Sequence, residues 1–297
     1  MVTARYILKG MRVVRRNWPL VAIAFLFKFG LALLFLTPLQ SLVARAFGNH
    51  PAAGRLLEEW DLTPLIDFAY NNRTHLEQYG YFVLIAAIIT IVLHLFLSGG
   101  LFRTIAFGLG QEQAAFTAEQ FLGWCGRYFG RFFKIGAASV IFYVAIGALF
   151  IILSQLGERL ILAEGAQGPV KVYAALGRMA GLLLLLLLVN MWMVYTKIVA
   201  VVHEERRLSV ILGEALRFLR LTFWRAVSLY AGLLIGLLII MGAYWALQKG
   251  CGVLPTSWTI VVLFSVQQAL SLTRSWYRLV GYAAQTGLYF AKLKIER

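Results

Sequence analysis

Gln267, Ser271, Arg274, Arg278, Tyr282 and Gln285 succeed one another at separations of 4, 3, 4, 4 and 3 residues. On an α-helix that spacing makes one continuous polar stripe. Two other apolar stretches carry isolated polar groups. One holds Asn190 and Lys197, seven apart and nearly superposed in rotation; the other holds His94, with Ser98 one turn on and Gly99-Gly100 next in the chain. In hydrocarbon, polar side chains turn toward the interior of a bundle, because facing lipid costs a charge about 2.5 kcal/mol or more. The three stretches are therefore expected to share a polar seam. Two chemistries suit it. The first is hydrogen bonding between helices, worth about 0.6 kcal/mol per bond. The second is a cationic cavity in which Arg274, Arg278 and Lys197 meet the headgroup of an anionic amphiphile, the guanidinium groups gripping it bidentately. Arg274 and Arg278 can also snorkel to a polar interface, with no cavity at all.

Other chemistry is sought by elimination. The four histidines, His50, His75, His94 and His203, include no i, i+4 pair and no His-Glu-x-x-His. There is no Gly-x-Ser-x-Gly elbow, no Walker loop, and no acid inside any apolar stretch, which removes aspartyl proteolysis and carboxylate proton relays. No cofactor and no metal is expected from these patterns. Glu58, Glu59 and Asp61 are the one acidic group that could hold a hard cation through oxygens; such a cluster is more often a solvated helix start.

The elements that position these groups are membrane spans. Apolar residues make up 61% of the chain and charged residues 14%, where soluble domains carry about a quarter charged. Six stretches, near 19–42, 80–102, 135–155, 178–201, 226–248 and 257–280, reach the length of about 20 residues that a bilayer requires. The expected fold is all-α: a polytopic membrane protein with six transmembrane helices in three hairpins, one membrane domain over 1–297. If the termini and the loops at 103–134 and 197–225 share a side, that side holds 20 Lys and Arg against seven on the other. Basic loops stay cytoplasmic, so both termini are expected on the cytoplasmic side. The net charge of +15 is then a result of topology and of attraction to anionic lipid, and no nucleic-acid partner is expected. Lys28, midway in the first stretch, is the odd charge and needs a partner or a cavity.

Each hairpin is preceded by a basic amphipathic segment, giving loose pseudo-repeats at 1–107, 112–203 and 204–297. In the first, Arg5, Lys9, Arg12 and Arg16 oppose Ile7, Met11, Val14 and Trp18. In the second, Arg127, Arg131 and Lys134 oppose Phe121, Cys125, Tyr128 and Phe132. In the third, Arg217 and Arg220 oppose Leu212, Leu216, Leu219 and Phe223. Each is expected to lie as an elbow helix in the headgroup plane, apolar side down. The turns into the spans read Arg16-Asn17-Trp18-Pro19, Phe132-Phe133-Lys134 and Phe223-Trp224-Arg225. On the outer side, 44–79 is expected to form a helical cap, with Thr63 as an N-cap and Pro64 at the first helical position. Cys125 and Cys251 fall on opposite sides and cannot pair with each other. Gly177-x-x-x-Gly181 and Gly232-x-x-x-Gly236 allow close backbone approach.

The elbow-and-return pattern, Phe96-Leu97-Ser98-Gly99-Gly100 closing the second span, and the Arg-rich elbows before the third and fifth resemble a group of uncharacterised bacterial six-span proteins. These are similar to the membrane domain attached to some glycerophosphodiester phosphodiesterases. The resemblance covers nearly the whole chain and implies a bacterial plasma-membrane bundle; no phosphodiesterase catalytic residues accompany it. Without catalytic residues, the expected role is a non-enzymatic accessory or scaffold subunit of a membrane complex, with protein partners. The alternative is a transport or lipid-handling component whose partners are anionic headgroups.

Overall fold

The computed structural model of the chain describes residues 2–47, 63–110, 116–161, 169–204, 207–251 and 257–293. Every regular element among them is an α-helix: α1 (Val2–Arg16), α2 (Trp18–Phe47), α3 (Thr63–Asn71), α4 (Arg73–Gly110), α5 (Ala118–Ile161), α6 (Pro169–Val202), α7 (Leu208–Cys251) and α8 (Ser257–Leu293). A helix satisfies its own backbone groups, which a chain this apolar needs wherever water is excluded. Five helices, α2 and α4 to α7, are long and apolar enough to cross a membrane. Among the described residues α8 is not in that set; Gln267, Gln268 and the hydroxyls of Ser265, Ser271 and Thr273 dilute its apolar run. Glu58, Glu59 and Asp61 lie outside the described residues, so of the expected cap only α3 and its flanks are described.

Three boundaries show how each amphipathic segment joins the apolar helix after it. α1 and α2 are separated by Asn17 alone. Its N–H is shared between the carbonyls of Val13 and Val14, 3.1 Å from each, and its Nδ2 donates to Val13 O at 3.0 Å. Pro19, which has no N–H to lose, sits in the first turn of α2. α7 leaves helical geometry at Thr222 (φ −122°, ψ 19°). There the Thr222 hydroxyl donates to Phe218 O at 2.7 Å, a back-bond that bends helices. α5 runs through the equivalent Phe132-Phe133-Lys134 as one helix.

The chain divides into two compact units, Ala22–His94 on the one hand and Met1–Val21 with Leu95–Arg297 on the other. In the smaller unit α2 and α4 face each other: Tyr79 donates its hydroxyl to Phe35 O at 3.0 Å, and the Phe35 and Phe82 rings meet edge-on at 6.3 Å. Lys28 is half-buried there and is not without a partner.

In the larger unit α1 packs along α8, and α5, α6, α7 and α8 pack in succession, with α1 also touching α7. The core gathers where the basic segments meet: Phe102, Tyr128, Phe132, Tyr195, Ile198, Ile211, Phe218 and Leu288 are all buried. Glycines set the closest approaches. A Cβ at Gly10 would lie 2.8 Å from Val280 O and 3.1 Å from Ala284 N, so only glycine lets α1 sit on the α8 backbone. A Cβ at Gly100 would collide with Cys125 Sγ and Phe121, and one at Gly236 with the Tyr277 ring. Away from this core the same helices are bare. Ile141, Val144 and Ile152 on α5, Leu176, Leu183 and Leu184 on α6, and Ile235, Leu238 and Ile239 on α7 are exposed.

Candidate functional site

The polar groups of α6, α7 and α8 converge on Tyr230. Asn190 Nδ2 donates to the Tyr230 hydroxyl at 3.0 Å, and the Gln285 side chain bonds the same hydroxyl. Tyr143 of α5, Tyr282 and Arg278 lie within electrostatic range of it, as does Tyr195 of α6. Arg278 Nε donates to the Tyr282 hydroxyl at 2.8 Å, with its guanidinium 5.7 Å from the ring centroid. Lys197, half-buried on α6, is in electrostatic range of Arg278. Among the described residues Lys197 makes no hydrogen bond or ion pair. Gln285 Oε1 and the Tyr195 hydroxyl, both buried, also lack hydrogen-bond partners among the described residues. Asn190 and Arg278 are exposed, so the cluster is open on one side.

Helical register explains the assembly. Asn190 and Lys197 stack along α6, while Arg278, Tyr282 and Gln285 form three successive rungs of α8. The result is two cations within electrostatic range of each other, in a cluster of hydroxyls and amides that contains no carboxylate among the described residues. Like charges at such range repel, the more so where water is scarce. An anion would relieve that repulsion and accept from Lys197 and the tyrosine hydroxyls. Nothing in the cluster is arranged as a nucleophile and base. Among the described residues no three His, Cys, Asp or Glu side chains gather to hold a metal.

The structure thus brings together Asn190, Lys197 and Arg278. It does not bring in the outer part of the stripe: Gln267 and Arg274 are exposed, and Ser271 is half-buried with its carbonyl accepting from the Ser275 hydroxyl at 2.9 Å. His94 is half-buried in the smaller unit and has its own partner. Tyr230, Tyr195 and Tyr143 are the members that spacing along one helix missed. Their signal was present: a tyrosine deep in an apolar run carries a hydroxyl that must find a partner.

The elbow arginines divide in two. Arg12, Arg16, Arg217 and Arg220 are exposed. Arg127 and Arg131 instead tie down the C-terminal end of α6. Arg127 Nη2 lies 2.7 Å from Glu204 Oε2, joined by Arg103 Nη2 at 3.4 Å from Oε1 and by the Tyr128 hydroxyl at 3.2 Å. Arg131 Nη1 donates to Ala200 O at 3.3 Å and Arg103 Nη1 to Val201 O at 3.4 Å. These carbonyls belong to the last turn of α6, where no further helical N–H meets them and where cations are favoured.

Comparison with known protein families, characterised proteins and solved structures returned no match, so the chemistry of the seam rests on its own residues.

Proposed function

We propose that the chain is a multi-pass protein of a bacterial plasma membrane that holds an anionic amphiphile in the Tyr230–Lys197–Arg278 seam and performs no covalent chemistry. The observation that carries this is the Lys197–Arg278 pair, two cations within electrostatic range of each other beside the Tyr230 hydrogen bonds, with no carboxylate in the cluster among the described residues. A purely structural seam has no use for a second like charge; Asn190, Tyr230 and Gln285 suffice as helix–helix bonds. In this proposal α8 completes a set of six spans in three hairpins, with both termini cytoplasmic. The basic segments then mark the cytoplasmic edge, and the seam lies at the depth of inner-leaflet headgroups. The 20-to-7 distribution of Lys and Arg supports that orientation.

A second reading is an accessory subunit. It is favoured by Gly177 on α6, where a Cβ would meet nothing within 4 Å although Leu176 and Met179 beside it are bare. Small-residue faces of this kind receive partner helices in membranes. Gentle extraction followed by native mass spectrometry separates the two readings. A stoichiometric anionic phospholipid is expected; a stoichiometric second protein with no retained lipid would favour the accessory role.

A further inference from the structure

Apart from the seam, a cavity of about 610 Å³ opens between α1 and the ends of α4, α6 and α8. That volume is typical of small-ligand sites. Its polar wall is Arg5, Lys9 and Tyr6; Leu109 and Phe290 are prominent in its apolar wall, and Gly287 lies in the α8 side. Among the described residues neither Arg5 nor Lys9 makes a hydrogen bond or ion pair. They stand one turn apart on α1, a spacing at which like charges disfavour each other. No carboxylate is among the residues lining the cavity.

Gly287 is the independent observation. It lies inside α8, where glycine is the poorest helix former after proline. At Gly10 packing demands glycine, because a Cβ would strike the α8 backbone. At Gly287 it does not: the nearest atom to a Cβ is Tyr6 Cδ1 at 3.7 Å, an ordinary contact. The effect of the missing side chain is to leave the α8 wall of the cavity open. A wall kept bare by an unfavourable residue, facing two cations and an aromatic ring, is the form of a ligand site.

We propose that this cavity binds a phosphate-bearing amphiphile, its phosphate held by Arg5 and Lys9 and its apolar part laid against Leu109 and Phe290. Lys9 and Arg5 supply charge-assisted donors to phosphate oxygens. The phosphate can belong to an anionic lipid or to a free phosphate ester, and the two are separable by experiment.

The test uses the full-length chain in gentle detergent, carrying Lys197→Gln and Arg278→Gln so that the seam does not contribute. Short-chain phosphatidylglycerol and glycerol 3-phosphate are titrated separately, with native mass spectrometry as the readout. Arg5→Gln with Lys9→Gln is expected to weaken phosphatidylglycerol binding about tenfold or more. That size is expected for removal of two charge-assisted contacts. Gly287→Met, which fills the cavity without altering charge, is expected to weaken it as well. A charge-matched pair on the same protein, Arg15→Gln with Arg225→Gln, should change it less than about twofold, as screened surface charges do. Binding of glycerol 3-phosphate at comparable strength assigns a free phosphate ester; binding of the lipid alone assigns a headgroup with its chains. The proposal is overturned if neither probe binds, if Arg5→Gln with Lys9→Gln binds like the parent, or if the Arg15/Arg225 pair weakens binding equally.

Discussion

Glu204 ties the C-terminal end of α6 to α4 and α5. It sits with φ at 51°, in the left-handed region that disfavours a residue with a Cβ. Its carboxylate receives Arg127, Arg103 and Tyr128 there. Glu204→Gln is expected to destabilise the protein by about 1–3 kcal/mol, the worth of hydrogen bonds to a charged group, measured as a fall in the midpoint of thermal unfolding. Glu214→Gln, whose carboxylate lies 4.0 Å from His203 at an exposed position, should cost less than about 1 kcal/mol. In the seam, Asn190→Leu removes one bond to Tyr230 and should cost under about 2 kcal/mol; a larger loss would mean that Tyr230 depends on it for more than one contact. The types of these residues were legible in the sequence, and their partners were not. Arg127 and Arg131 lie on a basic helical face that suits lipid headgroups, yet they turn to Glu204 and to Ala200 O, far away along the chain. Spacing along one helix says nothing of a carboxylate brought in by another.

At the level of elements, amphipathic patterning identified buried faces well and their cover less well. Phe121, Cys125, Tyr128 and Phe132 were expected on one apolar face, and all four are buried. Of the expected α1 face Val14 is buried, Ile7 and Met11 are half-buried and Trp18 is exposed, and α1 packs on α8 and touches α7. In α7 Leu219 of the expected face is buried and Leu212 half-buried, together with Ile211, Ala215 and Phe218, while Leu216 and Phe223 are exposed. The loose repeat shows the same limit: one join is broken at Asn17, one bends at Thr222 and one is continuous. Gly10→Leu is expected to push α1 off α8, costing about 1–3 kcal/mol or more as overpacking does. Gly126→Leu, where a Cβ would meet nothing within 4 Å, should leave stability unchanged or raise it slightly through helix propensity. Equal losses for the two variants, read by thermal unfolding in detergent, would contradict the packing of α1 on α8.

For the whole molecule, helical class and apolar length were plain from composition, whereas assembly of the seam was only half visible. Asn190, Lys197 and Arg278 come together, but Gln267 and Arg274 occupy exposed positions on the same stripe, outside the cluster. A stripe marks one face, and a bundle contacts only part of that face. Orientation is open to a direct check. Cys125 is fully buried and would report neither side. In a background lacking native cysteines, a cysteine replacing exposed Tyr173 should react with an impermeant thiol reagent in intact spheroplasts, and one replacing exposed Arg12 should react only after permeabilisation. The seam itself is tested most directly by counting lipids. Native mass spectrometry of the full chain should show Lys197→Gln with Arg278→Gln retaining one anionic phospholipid fewer than the wild type. Its unfolding midpoint should shift by no more than about 2–4 °C, the change expected for roughly 1 kcal/mol in a chain of this size. Retention of the wild-type number of anionic lipids by that double variant would contradict the assignment of the seam as an anion site.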